Sequence, residues 1–269
     1  MLGKLLKHEL KDTARLFLPL NAIVLAVAAV WSVLIWIGLF DNSVLGPVGG
    51  ILLLIYILSI MALFIITAAY LAFRFYKTMY ANQGYLTHTL PVSSASVLNS
   101  KIIAALFWLL LAFIICFLSI LILFLSIAGF PEAADFQRFE EQISTVFGIG
   151  VFPSVCLIAG TILGFCLDMT MMVFASLSIG QLFHQRRIPA AIGAGIVFYI
   201  IQQVTSVVLL LVLGFGMTES MELSSETALT ESAALYRGFF LMATAAAFLF
   251  AAVYYIICFV ITKKKLNLE

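Results

Sequence analysis

Asp168 is the one acid inside the long apolar runs of this chain. An ionisable side chain at membrane depth costs about 2.5–3.5 kcal/mol on insertion scales, so it is expected to have a partner or to face water. Counting along helices supplies the partner. Asp168 lies 13 residues before Gln181, and Gln202 lies 13 residues after Pro189, so both stand about 20 Å from the same boundary. A hydrogen bond between Asp168 and Gln202 or Gln203, on neighbouring helices, is predicted. Two roles stay open for it: glue between helices, or part of a substrate route.

The remaining reactive residue types stand apart from one another. His8, His88 and His184 are far apart in sequence and no HExxH occurs. Gly3-Lys4 lacks the upstream glycine of a Walker A loop and is followed by Leu5, not Ser or Thr. The glycine pairs starting at Gly148, Gly193 and Gly214 are G-x-G without a third glycine. Cys116, Cys156, Cys166 and Cys258 lie in apolar runs with no CxxC pair, and read as small buried hydrophobes. No catalytic residue and no metal site is expected, and no enzyme.

A second kind of chemistry, docking, is carried by the connection RFYKTMYANQGYLTHTLPVSSASVLNSK, from Arg74 to Lys101. Short loops between membrane helices are ordinarily polar. This one carries Tyr85, Leu86, Leu90 and Val92 between Gly84 and Pro91, with Thr87, His88 and Thr89 inside it. Such an apolar tip points to contact with another protein; packing against nearby helix ends is the alternative. Ser93 or Ser94 is placed to N-cap the next helix.

The elements that must hold these residues follow from composition. The 269 residues are 64% hydrophobic and only 10% charged, with a mean hydropathy of +1.18. Soluble domains carry about a quarter charged residues, so a soluble enzyme is excluded. Six apolar stretches, 17–40, 48–73, 102–130, 154–183, 190–214 and 235–261, are long enough to cross a bilayer as helices. Alternating ten-residue segments of a β-barrel are not seen. The predicted fold is a single all-α integral membrane domain, residues 1–269, with six transmembrane helices. The first run is longer than a signal-peptide core and lacks an A-x-A site, so it is expected to remain as an anchor.

Several details refine that expectation. Leu2, Leu5, Leu6 and Leu10 recur at helical spacing opposite Lys4, Lys7, His8, Lys11 and Arg15. Residues 1–16 are therefore predicted to form an amphipathic interfacial helix with its cations towards anionic lipid, turning at Pro19 into the first span. A plain basic topogenic segment is the alternative. The stretch from Gly148 to Phe183 would be about 54 Å long as one helix, which predicts a break at Pro153 and an N-cap at Ser154. Phe136, Phe139, Ile143 and Val146 predict a short helix on the outer leaflet, and a second is conceivable in 217–234. Gly160 and Gly164 form a G-x-x-x-G, read as packing within the chain rather than as a dimer seam.

Charge sets the orientation. Twelve of the fourteen Lys and Arg fall on one side, with only Arg138 and Arg237 on the other. Nine acids, among them Asp41, Glu132 and Glu226, fall in the opposite loops. Both termini and the Arg74–Lys101 connection are thus expected in the cytoplasm.

The stretch GYLTHTLPVSSASVLNSK, Gly84 to Lys101, resembles the loop between the second and third spans of ABC-2-type transporter permeases of Gram-positive bacteria. The resemblance extends to the N-terminal LLKHELKDTARLF, to SIGQLF at Ser178–Phe183 and to Ile200–Gln203. It covers most of the chain in topology and about fifty residues in motif. Where the family usually has acids before GYL, Asn82 and Gln83 stand here, which bears on contacts to the partner and not on the class. The resemblance implies a multi-pass permease of a bacterial plasma membrane, working with a second permease copy or paralogue and with separate cytoplasmic ABC ATPase subunits. The segment Gly84–Val92 would be the coupling element in that ATPase, which would hold the ATP and Mg2+; this chain would need no cofactor. It also implies that the second and fifth spans line the route, with Gln202 and Gln203 among its few polar groups. Amphipathic or hydrophobic cargo (peptide, drug or lipid-like) fits such a route, exported by ATP-driven motion. Partners are then ATPase, permease and membrane lipid, with no nucleic acid. The rivals are a secondary transporter or channel working without ATPase, and a peptide-sensing immunity protein; no clear internal repeat favours the former.

Overall fold

The computed structural model describes residues 2–38, 46–80, 93–129, 131–183, 186–220 and 225–264. Seven helices form among them: α1 (Leu2–Trp36), α2 (Gly46–Met79), α3 (Ser94–Ala128), α4 (Ala133–Phe147), α5 (Val151–Gly180), α6 (Arg187–Ser220) and α7 (Ser225–Lys264). No strand occurs among the described residues. All but α4 are long and apolar enough to cross a membrane. Regular helices satisfy their backbone hydrogen bonds internally, which is what a lipid-facing chain of this composition requires. The expected all-α fold with six long apolar helices is the one observed.

The chain falls into two compact units, Met1–Pro131 and Glu132–Glu269. In the first, α1 packs along α3 and α2 contacts both. Val24, Leu63 and Ala112 form its buried centre, with Leu20, Ile60, Phe64 and Ile115 around them. Polar rungs tie the helices together: Tyr56 Oη to Ser119 Oγ at 2.8 Å, and Ser32 with Ser126. Large apolar side chains such as Ile65, Phe117 and Phe124 point outward, while Thr67, Ser100 and Ser119 are buried. That distribution reverses the soluble pattern, as expected where the surrounding solvent is hydrocarbon.

In the second unit, α5 packs along α7 and α6, α6 also contacts α7, and α4 rests on α7 and α5. Thr161 and Thr244 share a 2.7 Å hydrogen bond, and Ser178 Oγ lies 3.2 Å from Cys258 Sγ. Gly164 admits the Phe248 ring, whose Cε2 would lie 3.3 Å from an added Cβ, whereas nothing lies within 4 Å of such an atom at Gly160. Only one glycine of the G-x-x-x-G therefore serves an observed contact, and it is within the unit. Closer still is Gly180, where a Cβ would fall 2.6 Å from Ala191 Cβ and 2.7 Å from the Arg187 carbonyl.

Helix α4 forms where the apolar spacing predicts it. Glu132 and Asp135 make a capping box at its start, and Gly148, at φ +63°, ends it. Phe136, Phe139 and Val146 are exposed, and Phe147 is buried against the Phe240 ring with centroids 5.4 Å apart.

Four boundaries depart from the sequence reading. Residues 2–16 are not a separate interfacial helix: α1 runs unbroken through Pro19. Proline deletes a single donor, and the contacts of Glu9 and Thr13 with neighbouring helices tie the N-terminal turns to the rest of the unit. Helix α5 begins at Val151, with Gly150 as N-cap. Pro153 sits in its first turn, where the missing N–H would be unpaired anyway. Ser154 does not cap; its hydroxyl donates to the Gly150 carbonyl at 3.0 Å. Residues 225–234, where a separate short outer helix is conceivable from the sequence, are helical but continuous with the last span in α7. Lastly, Arg74, Lys77 and Lys101 lie inside α2 and α3, so the connection between those helices is far shorter than Arg74–Lys101.

Candidate functional site

The predicted docking residues Gly84, Tyr85, Leu86, Thr87, His88, Thr89, Leu90, Pro91 and Val92 lie outside the described residues. Their two stems are described. On the α2 side, Phe75, Met79 and Tyr80 are buried, with the Phe75 and Tyr80 rings edge to face at 5.9 Å. On the α3 side, Ser93 is the N-cap: its side chain accepts from the Ser96 N–H at 3.3 Å. Val97 and Leu98 follow it into the interior.

A charge network joins these stems to α1. Lys101 Nζ donates to Glu9 Oε1 at 2.7 Å and to Thr78 Oγ1 at 2.6 Å. Arg74 Nε donates to Glu9 Oε2 at 2.8 Å, and its Nη2 reaches Asp12 Oδ2 at 3.3 Å. Thr78 passes its own proton to the Arg74 carbonyl at 2.7 Å. One carboxylate thus holds a cation on each stem. The Lys101 side chain is only 6% exposed and that of Glu9 17%, so the lysine in particular has little bulk water as a substitute partner. One turn further along α1, Thr13 accepts from Trp108 Nε1 at 2.7 Å while donating to the Glu9 carbonyl at 2.7 Å. Phe17 then packs between Tyr70 and Trp108, with centroids at 5.3 and 4.9 Å. Sequence reading placed Lys101 and Arg74 in the loop and gave Glu9 no role. A signal was present: Glu9 and Asp12 are acids standing among the cations of the basic side.

The second predicted site lies in the other unit. Gln202 Nε2 donates to Asp168 Oδ2 at 2.8 Å, joining α6 to α5. Gln203, one residue and about 100° further round the helix, is exposed and makes no such bond. Asp168 Oδ1 is buried and has no hydrogen-bond partner among the described residues. Tyr254 of α7 stands close to Asp168, and its ring packs against Phe198 of α6 with centroids 4.6 Å apart. This arrangement joins three helices around one acid. Among the described residues, no three His, Cys, Asp or Glu gather at metal-binding distance.

These features define an all-α, multi-pass membrane protein. No family model, no curated protein and no solved structure matches the chain.

Proposed function

We propose that the chain is the membrane subunit of an ATP-driven ABC exporter in a bacterial plasma membrane. The segment Gly84–Val92 is its coupling element, seated in a cytoplasmic ATPase, and a second permease copy or paralogue completes the pore. Nucleotide-driven closure of the ATPases moves the seated segment, and the helices move with it. Amphipathic or hydrophobic cargo suits the mostly apolar helices, with Asp168, Gln202 and Gln203 supplying polar contacts.

One observation supports this reading beyond the sequence resemblance. Lys101, the last residue of the GYL…SK stretch, is clamped to Glu9, as is Arg74 on the opposite stem. A segment meant to transmit force needs stems that move as a body, and a shared, partly buried carboxylate supplies that stiffness. The test is co-expression with an ATPase sought in the adjacent gene. Tyr85→Asp and Leu86→Asp are expected to abolish copurification and permease-dependent ATP turnover while leaving the permease folded. Unchanged binding and turnover would refute the docking role, and the absence of any neighbouring ATPase would favour the ATPase-free rivals.

A further inference from the structure

A cavity of about 620 Å³ opens between the first turns of α1, the last turns of α2 and the first turns of α3. Its size falls in the range of sites that hold small molecules, about 300–1,000 Å³. Four cations line it, Lys4, Arg74, Lys77 and Lys101, against two carboxylates, Glu9 and Asp12. Counting the Lys, Arg, Asp and Glu side chains alone, that leaves a net charge of +2, four minus two.

The two carboxylates are already engaged. Glu9 is taken by Lys101 and Arg74, and Asp12 by Arg74 and His8. The surplus therefore resides on Lys4 and Lys77, which are exposed and have no acid within 4.0 Å among the described residues. An anion entering the cavity meets two ammonium groups whose charge no described acid offsets.

The other wall is apolar. Leu5, Tyr70 and Phe73 line the same cavity, and Phe73 is 61% exposed on the outer surface of α2. All seven Lys and Arg of the first unit fall in the first fifteen residues of the chain, the last six residues of α2 or the first eight of α3. A soluble anion would use the cations and leave the aromatic wall unused. A molecule with a phosphodiester at one end and acyl chains at the other uses both.

We propose that this cavity is a binding site for the phosphate of an anionic phospholipid, held by Lys4 and Lys77, with its acyl chains running along Phe73. The shared chemistry is that of any phosphate, and the apolar wall selects the lipid over a free anion. The site does not depend on the transport role and would exist in any of the functions considered above.

The test uses the purified full chain in detergent, titrated with phosphatidylglycerol or phosphatidylcholine while thermal unfolding is followed. Phosphatidylglycerol is expected to stabilise the protein at concentrations where phosphatidylcholine does not. In Lys4→Gln/Lys77→Gln the midpoint of that titration should rise about thirtyfold, about fivefold for each lysine. Without lipid the variant should melt as the parent does, since both side chains are exposed. Lys11→Gln/Arg15→Gln removes two exposed cations outside the cavity and should keep the parent's midpoint. Equal stabilisation by the two lipids, or an equal loss in the Lys11/Arg15 variant, would overturn the proposal by showing no site or only a diffuse surface charge. Glycerol 1-phosphate acting as well as the lipid would overturn the lipid assignment in favour of a soluble anion.

Discussion

Replacing Glu9 by Ala removes the carboxylate that Lys101 and Arg74 share at 2.7 and 2.8 Å. Lys101, with a side chain 6% exposed, keeps Thr78 as its one hydrogen-bond partner among the described residues. Arg74 fares better, being 19% exposed and still within 3.3 Å of Asp12. Breaking a buried pair on one side costs about 3–5 kcal/mol. The partial exposure of Glu9 and Arg74 screens part of this, leaving about 2–3 kcal/mol. At about 2–4 °C per kcal/mol for a chain of this size, the melting temperature should fall by about 5–10 °C. The assay is thermal unfolding of the purified protein in detergent, with Glu141→Ala, an exposed acid on α4, as control. The double variant Glu9→Ala/Lys101→Met removes the stranded charge and should recover more than half of the loss, because an apolar pair replaces a buried ion pair at little cost. Additive losses in the double variant, or a Glu9→Ala shift no larger than that of Glu141→Ala, would refute the clamp.

Other consequences can be read in the same assay. Gly180→Ala should destabilise by about 1–3 kcal/mol, because its Cβ would meet the Arg187 backbone carbonyl at 2.7 Å, while Gly160→Ala, with open space around it, should be neutral or mildly stabilising. Gln202→Leu should cost about 0.6–2 kcal/mol by stripping Asp168 of its bond, and Gln203→Leu close to nothing; equal effects would contradict the pairing. Trp108→Phe should cost about 1–2 kcal/mol through the lost bond to Thr13, and Thr13→Val combined with it should add little more.

The long helices were legible because hydrocarbon demands runs of apolar residues, and 64% hydrophobic composition leaves few other arrangements. The level of Asp168 was legible too, since helical rise is constant: equal counts from two boundaries put it beside Gln202, which the structure joins to it at 2.8 Å. Counting could not choose between Gln202 and Gln203, because depth is nearly the same for both and only helix rotation separates them. The Glu9 network escaped for the opposite reason. Arg74, Lys77 and Lys101 were read as marks of the membrane edge, and charge taken as a boundary hides charge that is paired between helices. Pro19 and Pro153 were read as breaks, yet one lies within a helix braced by its neighbours and the other in a first turn that tolerates proline.

Labelling of Leu86→Cys, in a background with the four native cysteines replaced, tests the central claim most directly. A membrane-impermeant maleimide should react with it in inside-out vesicles, fail to react in right-side-out vesicles, and be blocked when the ATPase is added. Labelling from the outer face, or labelling that the ATPase leaves unchanged, would contradict the account.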